Sequence, residues 1–323
     1  MYIFIREGST EKNIEALIPL VTPTTVSRCC FATDDCHADL LYRSGHIDRC
    51  IRSAISAGLE PELAFRMATL SPAERFGLTD RGALTPGRRA DFCILENSPD
   101  IRVKETFSRG LPVRNYTSVP VKDYPSDIQC QLPTREMIRI SGRGTARVIG
   151  LVMHQILTES LTCDVDAAHI PDFDRDLLKA VVCNRYGRKQ VGRGIVHGFR
   201  FDSGAIAASV SHDAHNIVAA GTSDKEILSA IGLVIQAHGG MSAVRGSESV
   251  ILPLECAGLM STLPVKDAVQ RLDELALLTR KMAGISEPFM YLSFLALTVV
   301  PHLRITDRGL FDFAAFQDVP LFL

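Results

Sequence analysis

Met1-Tyr2-Ile3-Phe4-Ile5-Arg6-Glu7-Gly8-Ser9 reads as a short apolar strand that runs straight into a charged turn. A strand needs neighbours for its backbone groups and cover for its side chains. The expectation is therefore that the chain is the latter part of a larger fold, or a subunit completed by another chain. Beyond the turn at Gly8-Ser9, Ile14, Leu17 and Ile18 share one helical face. Apolar strand material returns at Cys29-Cys30-Phe31-Ala32 and stops at Thr33-Asp34-Asp35. A second helix carries Ile47, Cys50, Ile51, Ala54 and Ile55 at three- and four-residue intervals. Pro61 suits the first turn of a third, with Leu63, Met67 and Leu70. Alternating strands and helices are the pattern of parallel βα units, whose chemistry sits just past the strand ends.

The texture changes near Asp80. Gly82, Pro86 and Gly87 punctuate a turn-rich stretch, and Ala90 to Leu95 reads as a strand of a small sheet. From about 100 to 130 periodicity is lost, as in a connection with one or two extended pieces. Strand candidates resume at Ala146 to Met153 and Gly192 to Phe201. Ser223 and Glu226 form a capping box before Ile227, Ile231, Val234 and Ile235, and that helix ends at Gly239-Gly240. Val250 to Pro253 reads as a strand with an edge or terminal proline. A further helix runs from about Val265 through Val269, Leu272, Leu275 and Ala276, and stops by Gly284. The last third is a mixed α/β domain.

Composition narrows the function classes. A chain of 323 residues, 46% hydrophobic and 22% charged, buries sizeable cores. Its formal charge of −2, from 35 basic and 37 acidic residues without long blocks, argues against nucleic acid and anionic membrane as partners. The absence of Trp also leaves little for an aromatic base-stacking platform. Nine cysteines at irregular spacing suggest neither a disulfide framework nor a cysteine zinc site, and a reducing cytoplasm is expected. Cys50, Cys93, Cys183 and Cys256 read as small buried structural thiols.

Three polar clusters, and one histidine taken with the first of them, bear on chemistry. Thr33-Asp34-Asp35-Cys36-His37 follows a strand, where a carboxylate either binds a divalent metal, takes a proton from water, or merely caps the turn. His46, in Gly45-His46-Ile47-Asp48, is a helix cap or a ligand. In Arg6-Glu7-Gly8-Ser9 the guanidinium can hold a carboxylate rigidly and Ser9 can start a helix. In Ser209-Val210-Ser211-His212-Asp213-Ala214-His215-Asn216, two histidines three apart can share a metal, with Asp213 orienting an imidazole. The alternative there is a hydrogen-bonded structural turn.

These segments stand in a familiar order. Ile5-Arg6-Glu7-Gly8-Ser9 with Lys12-Asn13, Thr33-Asp34-Asp35, Gly45-His46-Ile47-Asp48, Ala68-Thr69-Leu70-Ser71-Pro72-Ala73 and Asp80 through Gly87 resemble the bacterial and archaeal adenine deaminases. Ser211 through Asn216, Gly258-Leu259-Met260-Ser261, Glu287-Pro288-Phe289-Met290 and Thr306 through Leu310 resemble that family's C-terminal domain. The resemblance implies an α/β chain in three parts. Residues 1–79 correspond to the last two strand-helix units of an incomplete (β/α)8 amidohydrolase barrel, 80–130 to a small β-domain segment and connection, and 131–323 to the C-terminal α/β domain.

The same resemblance implies hydrolytic deamination of adenine to hypoxanthine and ammonia, with a divalent metal (manganese or iron, or zinc) in the complete enzyme. Asp34 matches the superfamily's last-strand aspartate, a metal ligand and proton acceptor, and Asp35 is the adjacent second choice. His212 is the catalytic candidate of the C-terminal domain. Arg6, Glu7, His46, Asp213 and His215 are substrate-contacting or supporting candidates. The family's His-x-His motif and its other metal ligands are expected upstream of Met1, on a separately encoded N-terminal half, and this chain alone is not expected to hold the metal stably. A homo-oligomer is expected. The alternatives are an inactive truncated remnant and a repurposed purine-binding or interaction protein.

Overall fold

The computed structural model describes residues 1–9, 12–96, 100–115 and 128–323, so much of the expected connection, between 116 and 127, lies outside the described residues. The chain divides into two units, Met1–Pro120 and Val121–Leu323.

The first unit opens with β1 (Ile3–Arg6), α1 (Ile14–Leu17) and β2 (Cys29–Ala32), followed by α2 (Ala38–Ser44), α3 (Ile47–Ser56), α4 (Pro61–Ala68) and α5 (Leu70–Arg75). Strands β1 and β2 pair in parallel, Ile3 opposite Cys29 through Arg6 opposite Ala32. Ile5, Ile14 and Ile18 pack with Phe31, Cys50, Ile51, Ala54 and Met67. The face of α3 that meets this core is the one expected from its spacing. The single helix expected from Pro61 to Leu70 is two helices, because Thr69 leaves helical geometry at φ −129° and ψ −79°. Its hydroxyl donates back to Phe65 O at 2.6 Å, a local bond that competes with helix continuation. A three-stranded antiparallel sheet follows, of β3 (Phe92–Leu95), β4 (Val103–Ser108) and β5 (Leu111–Pro112). Cys93 is exposed on it, which corrects the expectation of a buried thiol, whereas Cys50, Cys183 and Cys256 are buried.

The second unit is built on eight strands. After α6 (Arg135–Ile138) come β6 (Arg143–Leu151), β7 (Thr158–Asp166), β8 (Leu177–Cys183), β9 (Val191–His197), β10 (Ala205–Ala208), β11 (Ile217–Gly221), α7 (Asp224–Gln236), β12 (Gly240–Arg245) and β13 (Glu248–Pro253). They form one sheet in the order β13-β12-β10-β11-β8-β9-β6-β7, with Pro253 on an edge strand as its missing N–H requires. The remaining elements are α8 (Val265–Lys281), α9 (Pro288–Phe294) and a small sheet of β14 (Leu303–Thr306), β15 (Gly309–Asp312) and β16 (Gln317–Val319).

Period-two alternation sorts the large sheet's two faces. Val181, Ala205, Ala207 and Ala219 pack under Ile227, Ile231 and Val234 of α7. Ala180, Val182, Ile206 and Val218 meet Leu275 and Leu278 of α8, Leu292 of α9, and Leu303 and Ile305 of β14. Ser223 Oγ accepts from Glu226 N–H at 3.2 Å and donates to the Glu226 carboxylate at 2.8 Å, so the expected capping box forms.

Closeness of the β14–β15 turn to β9 depends on Gly192. A Cβ there would lie 1.8 Å from Thr306 O and 2.8 Å from Gly309 N, both backbone atoms. Gly192→Ala is expected to destabilise the second unit by about 3 kcal/mol or more, because backbone has to move. A chemical-denaturation midpoint unchanged from that of the native chain would contradict this packing.

Candidate functional site

In the first unit the parallel pairing brings both strand ends out together. Glu7 N–H donates to Ala32 O at 2.9 Å, extending the ladder, and Ser9 N–H donates to Asp35 O at 2.7 Å. Ser9 Oγ accepts from the backbone N–H of His37 at 3.0 Å, so this serine staples the two turns together. It does not start a helix, because Asn13 occupies the N-cap of α1. Gly8 makes the staple possible: a Cβ there would sit 2.0 Å from Asp35 Oδ1.

Arg6 and Asp34 meet across the strand ends, with Nη1 to Oδ2 at 2.6 Å. Asp34 adopts a left-handed backbone at φ +54°, which an aspartate tolerates and which turns its carboxylate back toward Arg6. Glu7 is buried and faces Arg49 of α3, 3.7 Å from Oε1 to Nη1, while Arg49 Nη2 donates to Glu7 O at 2.5 Å. His46 is exposed at the N-cap of α3, but its side chain makes no cap. Nε2 pairs instead with Thr33 Oγ1 at 3.0 Å, and Asp48 Oδ1 accepts from His46 N–H at 2.7 Å. Burial pushes the Asp48 carboxyl up, yet Arg52 and the backbone N–H groups of His46 and Arg49 outweigh it and hold the group below the usual carboxylate range. Of the expected candidates, Arg6, Glu7, Asp34, Asp35 and His46 thus gather around the ends of two strands. Arg49 was not foreseen, since nothing in local spacing marks a partner on another element.

In the second unit the segment 209–216 joins β10 to β11. Ser209 Oγ accepts from Gly240 N–H at 2.8 Å and donates to Gly258 O at 2.6 Å, anchoring its start. His212 N–H donates to Ser293 O at 3.1 Å. Its half-buried ring stacks on Phe294 at 5.5 Å between centroids, with 21° between the planes. His215, left-handed at φ +51°, lies edge to face with His212 at 5.9 Å. Asp213 is exposed. The neighbouring turn after β8 is tied on by Tyr186 Oη donating to Ala214 O at 2.7 Å and Arg185 N–H donating to Asn216 Oδ1 at 3.2 Å. Burial, then His212 and Arg185, push the His215 pKa down, against a smaller upward pull from Asp213.

The described residues hold no group of three His, Cys, Asp or Glu able to bind a metal ion, and Asp34 already has a cation on its carboxylate. The residues present therefore do not make a metal centre by themselves.

Residues 155–317 match the family described as the adenine deaminase C-terminal domain, and residues 5–113 match the amidohydrolase family. The chain belongs to the adenine deaminase C-terminal domain family. Its similarity to whole proteins follows the same line. An adenine deaminase of Methanoregula boonei is 66% identical over 323 residues, all of this chain and 58% of that protein. One of Methanoculleus marisnigri is 55% identical over 322 residues, covering 62% of its length. One of Geobacillus kaustophilus is 39% identical over 339 residues, covering 59%. The chain thus spans about three fifths of the length of these curated relatives. No helix among the described residues is long and apolar enough to cross a membrane.

A lowered His215 pKa means that the fold accepts the neutral ring. The cost of protonation is full below the folded pKa and vanishes above the unfolded value of about 6.5. Stability of the second unit should therefore fall as pH drops through 6.5 and below, and His215→Asn should flatten that fall. Denaturation midpoints at neutral and mildly acidic pH decide it, and an identical loss in native and variant chains would contradict it.

Proposed function

We propose that the chain is the portion of an adenine deaminase that contributes the strand-end carboxylate and the C-terminal domain. In the reaction, water adds to C6 of adenine, the tetrahedral intermediate expels the amino group as ammonia, and hypoxanthine remains. Asp34 takes the proton of the attacking water and returns it to the leaving nitrogen. Asp35, one residue on, is the second choice for that role. Arg6 holds the acceptor in place, Glu7 and His46 shape the strand-end surface through Arg49 and Thr33, and His212 contacts the purine with His215 and Asp213 beside it. The observation that supports this most is the parallel register that sets Arg6 and Asp34 2.6 Å apart at the ends of adjoining strands.

The first unit reads as two strand-helix units of an amidohydrolase barrel. Ile3 and Phe4, 46% and 41% exposed on a two-stranded sheet, offer apolar surface and free ladder groups to further strands. We assign those strands, and the ligands of a divalent metal such as manganese, iron or zinc, to the part of the relatives' length that this chain does not span. Assembly as a homo-oligomer in the cytoplasm, within purine metabolism, completes the reading. The Arg6–Asp34 pair gives the alternative, a purine-binding protein without turnover, its physical footing, because the acceptor carboxylate is already occupied.

The test is release of ammonia and hypoxanthine from adenine with added Mn(II), Fe(II) or Zn(II). The chain is assayed alone and mixed with the N-terminal segment of the Methanoregula boonei adenine deaminase. No turnover is expected alone. Turnover is expected in the mixture, with kcat/KM reduced by about a thousandfold in Asp34→Asn. Full activity of Asp34→Asn, or metal-dependent turnover by the chain alone, would contradict the assignment.

A further inference from the structure

Arg304, on β14, is fully buried, and no carboxylate among the described residues pairs with it. Its guanidinium is spent on backbone carbonyls instead. Nε donates to Val300 O at 2.8 Å, Nη1 to Phe294 O at 2.7 Å, and Nη2 to Ile156 O at 2.9 Å and Pro301 O at 2.5 Å. Burial lowers its pKa to about 10, so the group is still charged at neutral pH. A charge held without a counter-ion is a costly way to fill a core, and an apolar side chain of similar volume fills one without the desolvation. What the guanidinium supplies is geometry: a rigid planar fork that fixes four carbonyls from three stretches of chain at once.

One of those carbonyls belongs to Phe294, the last residue of α9. That same turn is the seat of His212. Ser293 O accepts the His212 N–H at 3.1 Å, and the Phe294 ring lies against the His212 imidazole. The backbone of His212 and one face of its ring are thus set by two consecutive residues, the second of which Arg304 grips. Neither imidazole nitrogen of His212 has a hydrogen-bond partner among the described residues. Orientation of the ring therefore rests on packing, and packing is only as fixed as the surface behind it.

We propose that Arg304 is a positioning residue for His212: by clamping the Phe294 carbonyl it fixes the aromatic surface against which the His212 imidazole is held. The functional part of this inference rests on the reading that His212 contacts the purine. The orienting part rests on geometry alone.

Two readouts on the full chain separate positioning from plain stability. The first is NMR relaxation of the His212 imidazole, assigned by its loss in His212→Asn, with His197 as an internal reference because its Nδ1 lies 3.1 Å from Arg175 O. The second is kcat and KM for adenine in the assembled enzyme. Phe294→Leu and Arg304→Lys are the informative variants, with Arg304→Met beside them. Both informative variants should leave His197 ordered while the His212 ring becomes mobile. They should lower kcat by about 10- to 100-fold with KM changed less than about threefold, the effect of a misplaced group.

A fall in melting temperature with His212 as ordered as in the native chain would overturn the proposal. So would failure of both arginine variants to fold, since Arg304 would then act through stability alone. If His212→Asn leaves turnover intact, the reading of His212 at the purine fails, while ring order still decides whether Arg304 positions it.

Discussion

Four parallel pairings, Ile3 with Cys29 through Arg6 with Ala32, decide where the charged groups just past these two strands go. Parallel strands end on the same side, so residues just past them become neighbours although the chain needs a helix to travel between them. A slip of one residue would send Arg6 to the opposite face and break its contact with Asp34. The ion pair itself contributes little stability. Its side chains are 31% and 53% exposed, and such pairs are worth about 0–1 kcal/mol. Its effect is orientation: the carboxylate is held at the strand end by register first and by the guanidinium second.

The second unit solves a different problem by related means. Its sheet is covered on both faces, by α7 on one side and by α8, α9 and the small β14–β16 sheet on the other. Lys179, on the α7 face of β8, pairs with Asp224 at the start of α7. Arg304, on the other side, has carbonyls where Lys179 has a carboxylate. The segment 209–216 is fastened to neighbours at both ends, through Ser209 and through Tyr186, which leaves His212 and Asp213 at the surface between two fixed points.

Much of this was legible from local sequence. Cys29–Ala32 is a strand, Ser223 caps α7, and the Val265 helix runs as its spacing requires, because each signal lies within a few residues. Arg6 finding a carboxylate was readable from charge at a strand end. Strand β8 was not picked out: every residue of Leu177–Cys183 is buried, so the period-two alternation that betrays a strand is absent. The alanine-rich β10 fails to announce itself for the same reason. Site support was the least legible part. Arg49 reaches Glu7 across 42 residues and Arg304 reaches Ile156 across 148, separations that no motif or periodicity encodes.

Hydrogen exchange tests most directly the proposal that β1 and β2 take further strands as neighbours and that their register sets the site. In a monomeric sample, verified by its molecular mass in solution, the amides of Ile3–Arg6 and Cys29–Ala32 should exchange far faster than those of Leu177–Cys183, which lie inside the eight-stranded sheet. They should slow when the N-terminal segment of a relative is added. Equal protection of all three strands in the monomer would contradict the account, because a two-stranded sheet that needs no neighbours leaves no place for the strands on which the proposed chemistry depends.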